Sequence, residues 1–140
     1  MIAFRRLLHS DRGASAVEFA LLAGPFLLLL FGVVEFSRGL WTRQVLLDVT
    51  TSAARCVAVV QQECADAKGD YSLKVTEGFV LNQARGLGVK LREPIVVRDN
   101  TTCNGLDGFA YVELEANFES IFPIDQLLNF TSHSCFARQV

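Results

Sequence analysis

The sequence predicts an α+β protein in which a long N-terminal helix packs against a small head with a second helix and a three-stranded antiparallel sheet. Three patterns support this fold class: an apolar stretch near the N-terminus, a helical repeat of apolar residues directly after it, and alternating apolar and polar residues in the last third of the chain. The sequence therefore divides into a basic leader at 1–13, a membrane-spanning helix at 14–36, an amphipathic extension at 37–60 and a head at 61–140.

The apolar stretch follows directly after the basic leader. Between Ala14 and Val34 the only charged residue is Glu18. At about 1.5 Å of rise per residue, such a helix covers the roughly 30 Å hydrocarbon layer of a bilayer. The leader carries three arginines: Arg5, Arg6 and Arg12. The positive-inside rule therefore predicts a cytoplasmic N-terminus and an extracytoplasmic C-terminal part.

A cleaved secretory signal is the alternative interpretation of this stretch, because such a signal also joins basic residues to an apolar core. Its apolar core would be shorter, and a triplet of small residues should end it. The apolar run in this chain is longer, and no such triplet stands near Gly32. The sequence therefore favours a helix that is retained.

Three residues mark the predicted outer edge of the membrane: Glu35, Arg38 and Trp41. Glu35 and Arg38 stand at the spacing where helical side chains meet, and tryptophan is enriched at the level of the lipid headgroups. An ion pair is the simpler interpretation of the first two, and contact with a neighbouring molecule is the alternative. Beyond this edge the helix is predicted to continue to about Val60, with apolar residues at helical intervals: Leu40, Val45, Leu46, Val49, Ala53, Val57 and Val60.

The head is predicted to contain one helix and three strands. Polar residues at 61–71 indicate a loop, and the helical pattern at 72–87 ends at the glycines of 86–88. The predicted strands are 89–97, 110–118 and 130–137. Turn residues at 99–108 join the first two strands, and a helical turn within 123–128 joins the last two. The strands would form an antiparallel meander whose apolar face covers the amphipathic part of the long helix.

All four cysteines follow the predicted membrane helix: Cys56, Cys64, Cys103 and Cys135. Their placement outside the cytoplasm favours disulfides over free thiols. Four cysteines allow three pairings. We favour Cys56 with Cys64, across a short loop, and Cys103 with Cys135, between a loop and the last strand. Zinc binding is the alternative, but no Cys-x-x-Cys pair occurs, and His133 lies too close to Cys135 for the usual ligand spacing.

The head offers no recognisable catalytic set of residues. We find no combination typical of serine hydrolases, no His-Glu-x-x-His motif and no glycine-rich phosphate loop, so we expect neither enzymatic activity nor a cofactor. His133, the head's histidine, falls in a predicted strand. The net charge is −2, and only Asp11 opposes the three arginines of the leader, so the rest of the chain is more acidic than the total and nucleic acid is an unexpected partner.

For two groups of oxygen-bearing side chains in the head, ligand binding is the alternative to simple exposure to solvent. The first lies in the predicted turn and could hold calcium, although it lacks the EF-hand spacing: Asp99, Asn100, Asn104 and Asp107. The second is a row of carboxylates on the second strand and just after it: Glu113, Glu115 and Glu119. Alternate residues of a strand share a face, and we interpret this row as a solvated face.

The start of the apolar helix carries a motif. It consists of Gly13-Ala14-Ser15-Ala16-Val17-Glu18-Phe19 after Asp11-Arg12, followed by Ala20-Leu21-Leu22-Ala23, Pro25, Phe31-Gly32, Glu35-Phe36 and Arg38. This combination resembles the signal of type IV pilins and, more narrowly, the TadE-like minor pilins of the tight-adherence (Tad/Flp) pilus. The resemblance covers roughly the first third of the chain. It implies a pilin-like fold, cleavage between Gly13 and Ala14 by a prepilin peptidase, neutralisation of a new amino terminus by Glu18, and packing of Phe19 in a bundle of helices.

The resemblance also implies a function and a set of partners. The chain would be a minor pilin or pseudopilin that acts structurally in assembling a Tad/Flp adhesive pilus. It would reside in the bacterial inner membrane with its head extracytoplasmic, and would join a surface pilus. Its partners would be the prepilin peptidase, other pilin subunits, and the assembly platform with its ATPase. The alternative is a single-pass, membrane-anchored binding module that never enters a filament, and an anchored enzyme ranks last.

Overall fold

The computed structural model describes residues 14–121 and 129–139, and of Ala14 only the backbone. The elements are helix α1 (Ala14–Ala58), a 3₁₀ turn (Gln62–Cys64), helix α2 (Leu73–Gly86) and strands β1 (Lys90–Cys103), β2 (Leu106–Asn117) and β3 (Asn129–Ala137). The predicted α+β fold is therefore confirmed. The chain divides between Ser37 and Arg38 into two compact units. The predicted leader at 1–13 and the helical turn predicted within 123–128 lie outside the described residues.

The first unit contains the N-terminal part of α1. Every large apolar side chain from Val17 to Val34 is exposed, on all sides of the helix. Pro25 lies inside the helix, and α1 continues through it. A helix that is apolar all round needs an apolar environment, and the described residues do not supply one for this part of α1.

The second unit holds the core, built on the part of α1 that follows Ser37. Five α1 side chains join the main core cluster: Val45, Leu46, Val49, Ala53 and Ala54. Of the predicted apolar positions, Leu40 is exposed and Val60 lies beyond the end of α1. The buried stripe therefore begins at Val45, later than expected.

Thr50 and Thr51 lie in the middle of α1, although β-branched residues disfavour helices. Each hydroxyl donates a hydrogen bond to the carbonyl four residues earlier, Thr50 to Leu46 and Thr51 to Leu47. These bonds satisfy the hydroxyl groups, which explains how Thr50 is fully buried in the core without an unpaired polar atom.

Helix α2 ends in a Schellman motif, which fixes the start of the sheet. The Gly88 N–H donates to the Arg85 carbonyl and the Val89 N–H to the Ala84 carbonyl. Gly88 has a φ of 77°, a left-handed conformation that glycine adopts without strain. The predicted end of this helix is therefore correct, and β1 begins two residues after Gly88.

The sheet is the predicted antiparallel meander, with the order β1-β2-β3. Val97 pairs with Val112, and Val112 pairs with Ser134 on the other side. Alternate residues of the central strand are buried against α1 and α2: Ala110, Val112, Leu114 and Ala116. Pro94 lies on edge strand β1, where its missing N–H is tolerated, within the register irregularity between Arg92 and Val96.

The predicted turn at 99–108 is wrong. Strand β1 continues to Cys103 and β2 starts at Leu106, so that only Asn104 and Gly105 form the turn. Both have positive φ values, 50° and 81°. A two-residue turn with left-handed residues matches the twist of a hairpin, and Asn-Gly is its preferred sequence. The residues proposed for calcium are therefore mostly strand residues, and Asp107 accepts a hydrogen bond from Thr102 across the hairpin.

Two disulfides tie the second unit together. Cys56 at the end of α1 bonds to Cys64 in the 3₁₀ turn, with the Cα atoms 6.0 Å apart. Cys103 at the end of β1 bonds to Cys135 in β3, with the Cα atoms 6.5 Å apart. This is the pairing that the sequence analysis favours. Both bonds close loops in a small domain, which destabilises its unfolded state.

Candidate functional site

The predicted site residues at the start of α1 lie on an exposed helix. Glu18 and Phe19 are both exposed in the first unit. Gly13 lies outside the described residues, and the side chain of Ala14 is not described. In the part of the chain that the structure describes, one helix is long and apolar enough to cross a membrane, and none of its apolar window is buried. This part of α1 is thus a candidate membrane anchor with a carboxylate close to its start.

Two phenylalanines of the head pack against the part of α1 that follows. The Arg38 guanidinium donates a hydrogen bond to the Glu119 carbonyl, at 3.1 Å, and lies 5.7 Å from the ring centre of Phe118. The rings of Phe118 and Phe130 meet edge to face with their centres 5.8 Å apart. A Cβ atom on Gly39 would lie 3.8 Å from Phe130 and 3.9 Å from Phe118. A Cβ at this position would therefore make only ordinary van der Waals contact with both rings.

Trp41 is held to the head through its ring nitrogen. The indole N–H donates to the Leu87 carbonyl at the end of α2, at 3.3 Å, while 58% of the residue stays exposed. This combination of a fixed polar edge and an exposed apolar body is what tryptophan offers at interfaces. Its predicted location at the headgroup level stays a prediction.

Arg38 and Trp41 line a pocket of about 150 Å³ whose walls all belong to the second unit. Lys90 and Glu119 also line this pocket and form an ion pair, with 2.8 Å between the Lys90 Nζ and Glu119 Oε1 atoms. Their hydrogen bond and the positive charge of Lys90 lower the pKa of Glu119 below its ordinary value, with a smaller contribution from Arg38. The walls therefore carry two cations, one carboxylate and two aromatic rings, those of Trp41 and Phe118.

The structure brings together only part of the predicted membrane boundary. Arg38 and Trp41 line the same pocket, and Glu35 is 6% exposed. The proposed ion pair of Glu35 with Arg38 spans the division between the two units and stays a prediction. Sequence reasoning missed Lys90 and Phe118, because they join the site through the docking of distant strands.

The row of carboxylates lies on the outer face of the sheet and its continuation. Glu113 pairs with His133 across the strands, and its carboxylate accepts a hydrogen bond from Tyr111 at 2.7 Å. This hydrogen bond raises the pKa of Tyr111. Within residues 14–121 and 129–139, no three or more His, Cys, Asp or Glu side chains group as candidate metal ligands. The expectation that the protein is not an enzyme stays a prediction.

The comparison with known families gives a match for the N-terminal segment. The family model described as TadE-like protein matches residues 13–55. No curated protein and no solved structure matches the chain. The match begins at Gly13 and includes Glu18, Phe19, Arg38 and Trp41, so it covers the helix start and part of the pocket. Residues 13–55 are therefore similar to the TadE-like family, as the motif at the start of the helix predicts.

Proposed function

We propose that the protein is a minor pilin or pseudopilin that acts structurally in the assembly of a Tad-type pilus. A prepilin peptidase cleaves it between Gly13 and Ala14, and the rest of the chain stays in the inner membrane with its head outside the cytoplasm. A cytoplasmic ATPase and a membrane platform then drive it into a filament with other pilin subunits. The observation that carries this proposal is a TadE-like helix, apolar on all sides and unburied, that carries one carboxylate near its start.

The carboxylate of Glu18 supports the proposal through its energetic cost. A charged side chain at the centre of a bilayer costs about 2.5–3.5 kcal/mol on insertion scales, and it is stable only with a partner. Cleavage after Gly13 would create an ammonium group four residues from Glu18, on the same chain or on a neighbouring one. An opposite charge in a medium of low dielectric constant offsets the desolvation of the carboxylate.

The exposed face of the helix supports an assembly role. Phe19, Leu22 and Phe26 lie at helical intervals on one side and are all exposed. Lipid can cover these side chains in the membrane, and the helices of neighbouring subunits can cover them in a filament. The helix can therefore leave the bilayer without exposing its apolar surface to water, provided that other subunits receive it.

The substitution Glu18→Gln tests the proposal. It removes the charge and keeps the size of the side chain, so we expect the protein to be made and kept in the membrane while surface pili are lost. Glu63→Gln, in the exposed 3₁₀ turn, is the matched control and should leave pili at normal abundance. Electron microscopy and quantification of sheared surface filaments provide the measurement. Normal filament numbers with Glu18→Gln would contradict the proposed role of Glu18.

Mass spectrometry of the membrane-purified protein tests the processing step separately. We expect a mature chain that begins at Ala14 in cells with the prepilin peptidase and at Met1 in cells without it. A chain that begins at Met1 in both would disprove cleavage. Together with normal pili from Glu18→Gln, it would favour a membrane-anchored binding module instead.

A further inference from the structure

The pocket beside Arg38 and Trp41 combines three features that the proposed function does not use. Its walls carry the positive charges of Arg38 and Lys90, the carboxylate of Glu119, and the aromatic side chains of Trp41 and Phe118. The formal charge of these side chains is two positive and one negative, which leaves one net positive charge. A pocket with this mixture suits a small group that carries a negative and a positive charge side by side.

The pocket's place along the chain indicates where such a group would come from. Arg38 follows the last residue of the apolar run, Val34, by about one helical turn, and Trp41 follows by about two. If the apolar run lies in the bilayer, these residues lie at the level of the lipid headgroups, where tryptophan and arginine are both favoured. The group with adjacent charges of both signs at this level is the headgroup of a zwitterionic phospholipid.

We propose that this pocket binds the headgroup of phosphatidylethanolamine. The phosphate lies between Lys90 and the positively charged Arg38, since a charge-assisted hydrogen bond to phosphate is among the stronger contacts available to both side chains. The primary ammonium group donates to the Glu119 carboxylate. The ring of Trp41, fixed by its bond to the Leu87 carbonyl, packs against the glycerol and the start of the acyl chains.

The ion pair of Lys90 with Glu119 does not oppose this arrangement. The ion pair of Lys90 with Glu119 is largely exposed, with 74% and 73% of the two side chains accessible. Water screens such a pair, which therefore contributes little to stability. A headgroup can open it and give each side chain a new partner of the same sign as the old one. The bond from Arg38 goes to the main-chain carbonyl of Glu119, so it holds the guanidinium at the pocket while the carboxylate turns.

Trp41 provides the measurement, because it is the only tryptophan of the chain. The full chain is placed in phosphatidylcholine nanodiscs with an increasing fraction of phosphatidylethanolamine or of phosphatidylglycerol, and Trp41 emission is recorded. Phosphatidylcholine has a quaternary ammonium that donates no hydrogen bond, and phosphatidylglycerol has no ammonium. We expect a saturable change that needs less phosphatidylethanolamine than phosphatidylglycerol. Native mass spectrometry should show the same preference among the retained lipids.

Two variants test the contact with the phosphate and the contact with the ammonium group separately. Lys90→Ala should weaken the response to both lipids by up to about fivefold, the upper end of what an exposed charge pair contributes. Glu119→Gln should remove the preference for phosphatidylethanolamine over phosphatidylglycerol and leave the phosphate contact. Lys74→Ala, exposed on α2 and away from the pocket, is the matched control and should respond as the wild type does. A merely structural role of Lys90 and Glu119 would not produce this pattern of lipid preference.

Three results would overturn the proposal: an equal response to all three lipids, an unchanged response in Lys90→Ala, or the same response to inorganic phosphate, which would indicate a site for a free anion. The proposal rests on the membrane anchoring that is part of the proposed function. Extraction of wild-type membranes with alkaline carbonate tests the anchoring by itself. Release of the protein would contradict the anchoring, whereas retention with a lipid-independent Trp41 signal would contradict the headgroup site alone.

Discussion

The two parts of α1 differ in what covers their side chains. In residues 15–34, the apolar side chains surround the helix and all the large ones are exposed. In residues 38–58, apolar side chains form a buried stripe, and the exposed positions include four charged residues: Arg38, Arg43, Asp48 and Arg55. One continuous helix therefore carries two different patterns, each suited to a different environment.

This difference shows that burial within the chain and apolar character are separate properties. The first part is the more apolar of the two and contributes no residue to the core clusters of the described chain. The second part is more polar and supplies five side chains of the main core cluster. The described residues do not cover the apolar stretch, which lipid or other helices can cover, whereas the second part is covered by α2 and the sheet.

The comparison of the two parts of α1 predicts the largest loss of stability for truncation of a buried side chain. Leu46, 1% exposed, lies in the core, while Leu28, 67% exposed, lies in the apolar stretch. Leu46→Ala should lower the free energy of unfolding of the head by about 2–5 kcal/mol, because it leaves a cavity. Leu28→Ala should change it by less than about 0.5 kcal/mol. Thermal unfolding of the full chain in detergent, followed by circular dichroism, measures both. Equal losses of stability would refute the division of α1 into two environments.

A second prediction concerns a charge that is added to either part of α1. Leu28→Lys should impair retention in the membrane, since a lysine near the middle of a bilayer costs about 2.5–3.5 kcal/mol. Leu47→Lys is the matched control, because Leu47 lies on the second part of α1 and is 42% exposed there. Carbonate extraction should release the Leu28→Lys protein and leave the Leu47→Lys protein in the membrane. Retention of both variants would mean that residues 15–34 do not span the bilayer.

Local patterns explain why much of the fold was predictable. The helical repeat in α1 and the glycine after α2 act over a few residues, and so does the alternation in β2. The hairpin of β1 and β2 could also have been predicted, because Asn104-Gly105 is a local signal for a two-residue turn. The surrounding Asp99, Asn100 and Gly108 suggested a longer turn instead. Asp99 and Asn100 belong to β1 because the residues on either side of them pair with β2, Arg98 with Tyr111 and Thr101 with Phe109.

The pocket was predictable only on the helical side. The assignment of Arg38 and Trp41 to the site follows from their distance along the sequence from the end of the apolar run. Their partners are far away in the sequence: 81 residues separate Arg38 from Glu119, and 46 separate Trp41 from Leu87. Such contacts depend on the register of the sheet and on how it docks on α1, and no short pattern specifies either. The chemistry of the pocket therefore emerges only from the folded head.

The smallest predicted effect concerns the ion pair at the pocket. Lys90 holds the pKa of Glu119 below its ordinary value of 4.5, so this contact stabilises the folded head above that value and ceases to do so as the pH falls through the lowered pKa. In Lys90→Ala the pKa of Glu119 should rise toward 4.5, and the loss of stability in acid should become slightly smaller. Nuclear magnetic resonance titration of the Glu119 carboxyl carbon measures the first effect. Because the pair is exposed, high salt should reproduce part of the rise in the wild type, whereas an unchanged pKa in Lys90→Ala would show that Arg38 alone sets it.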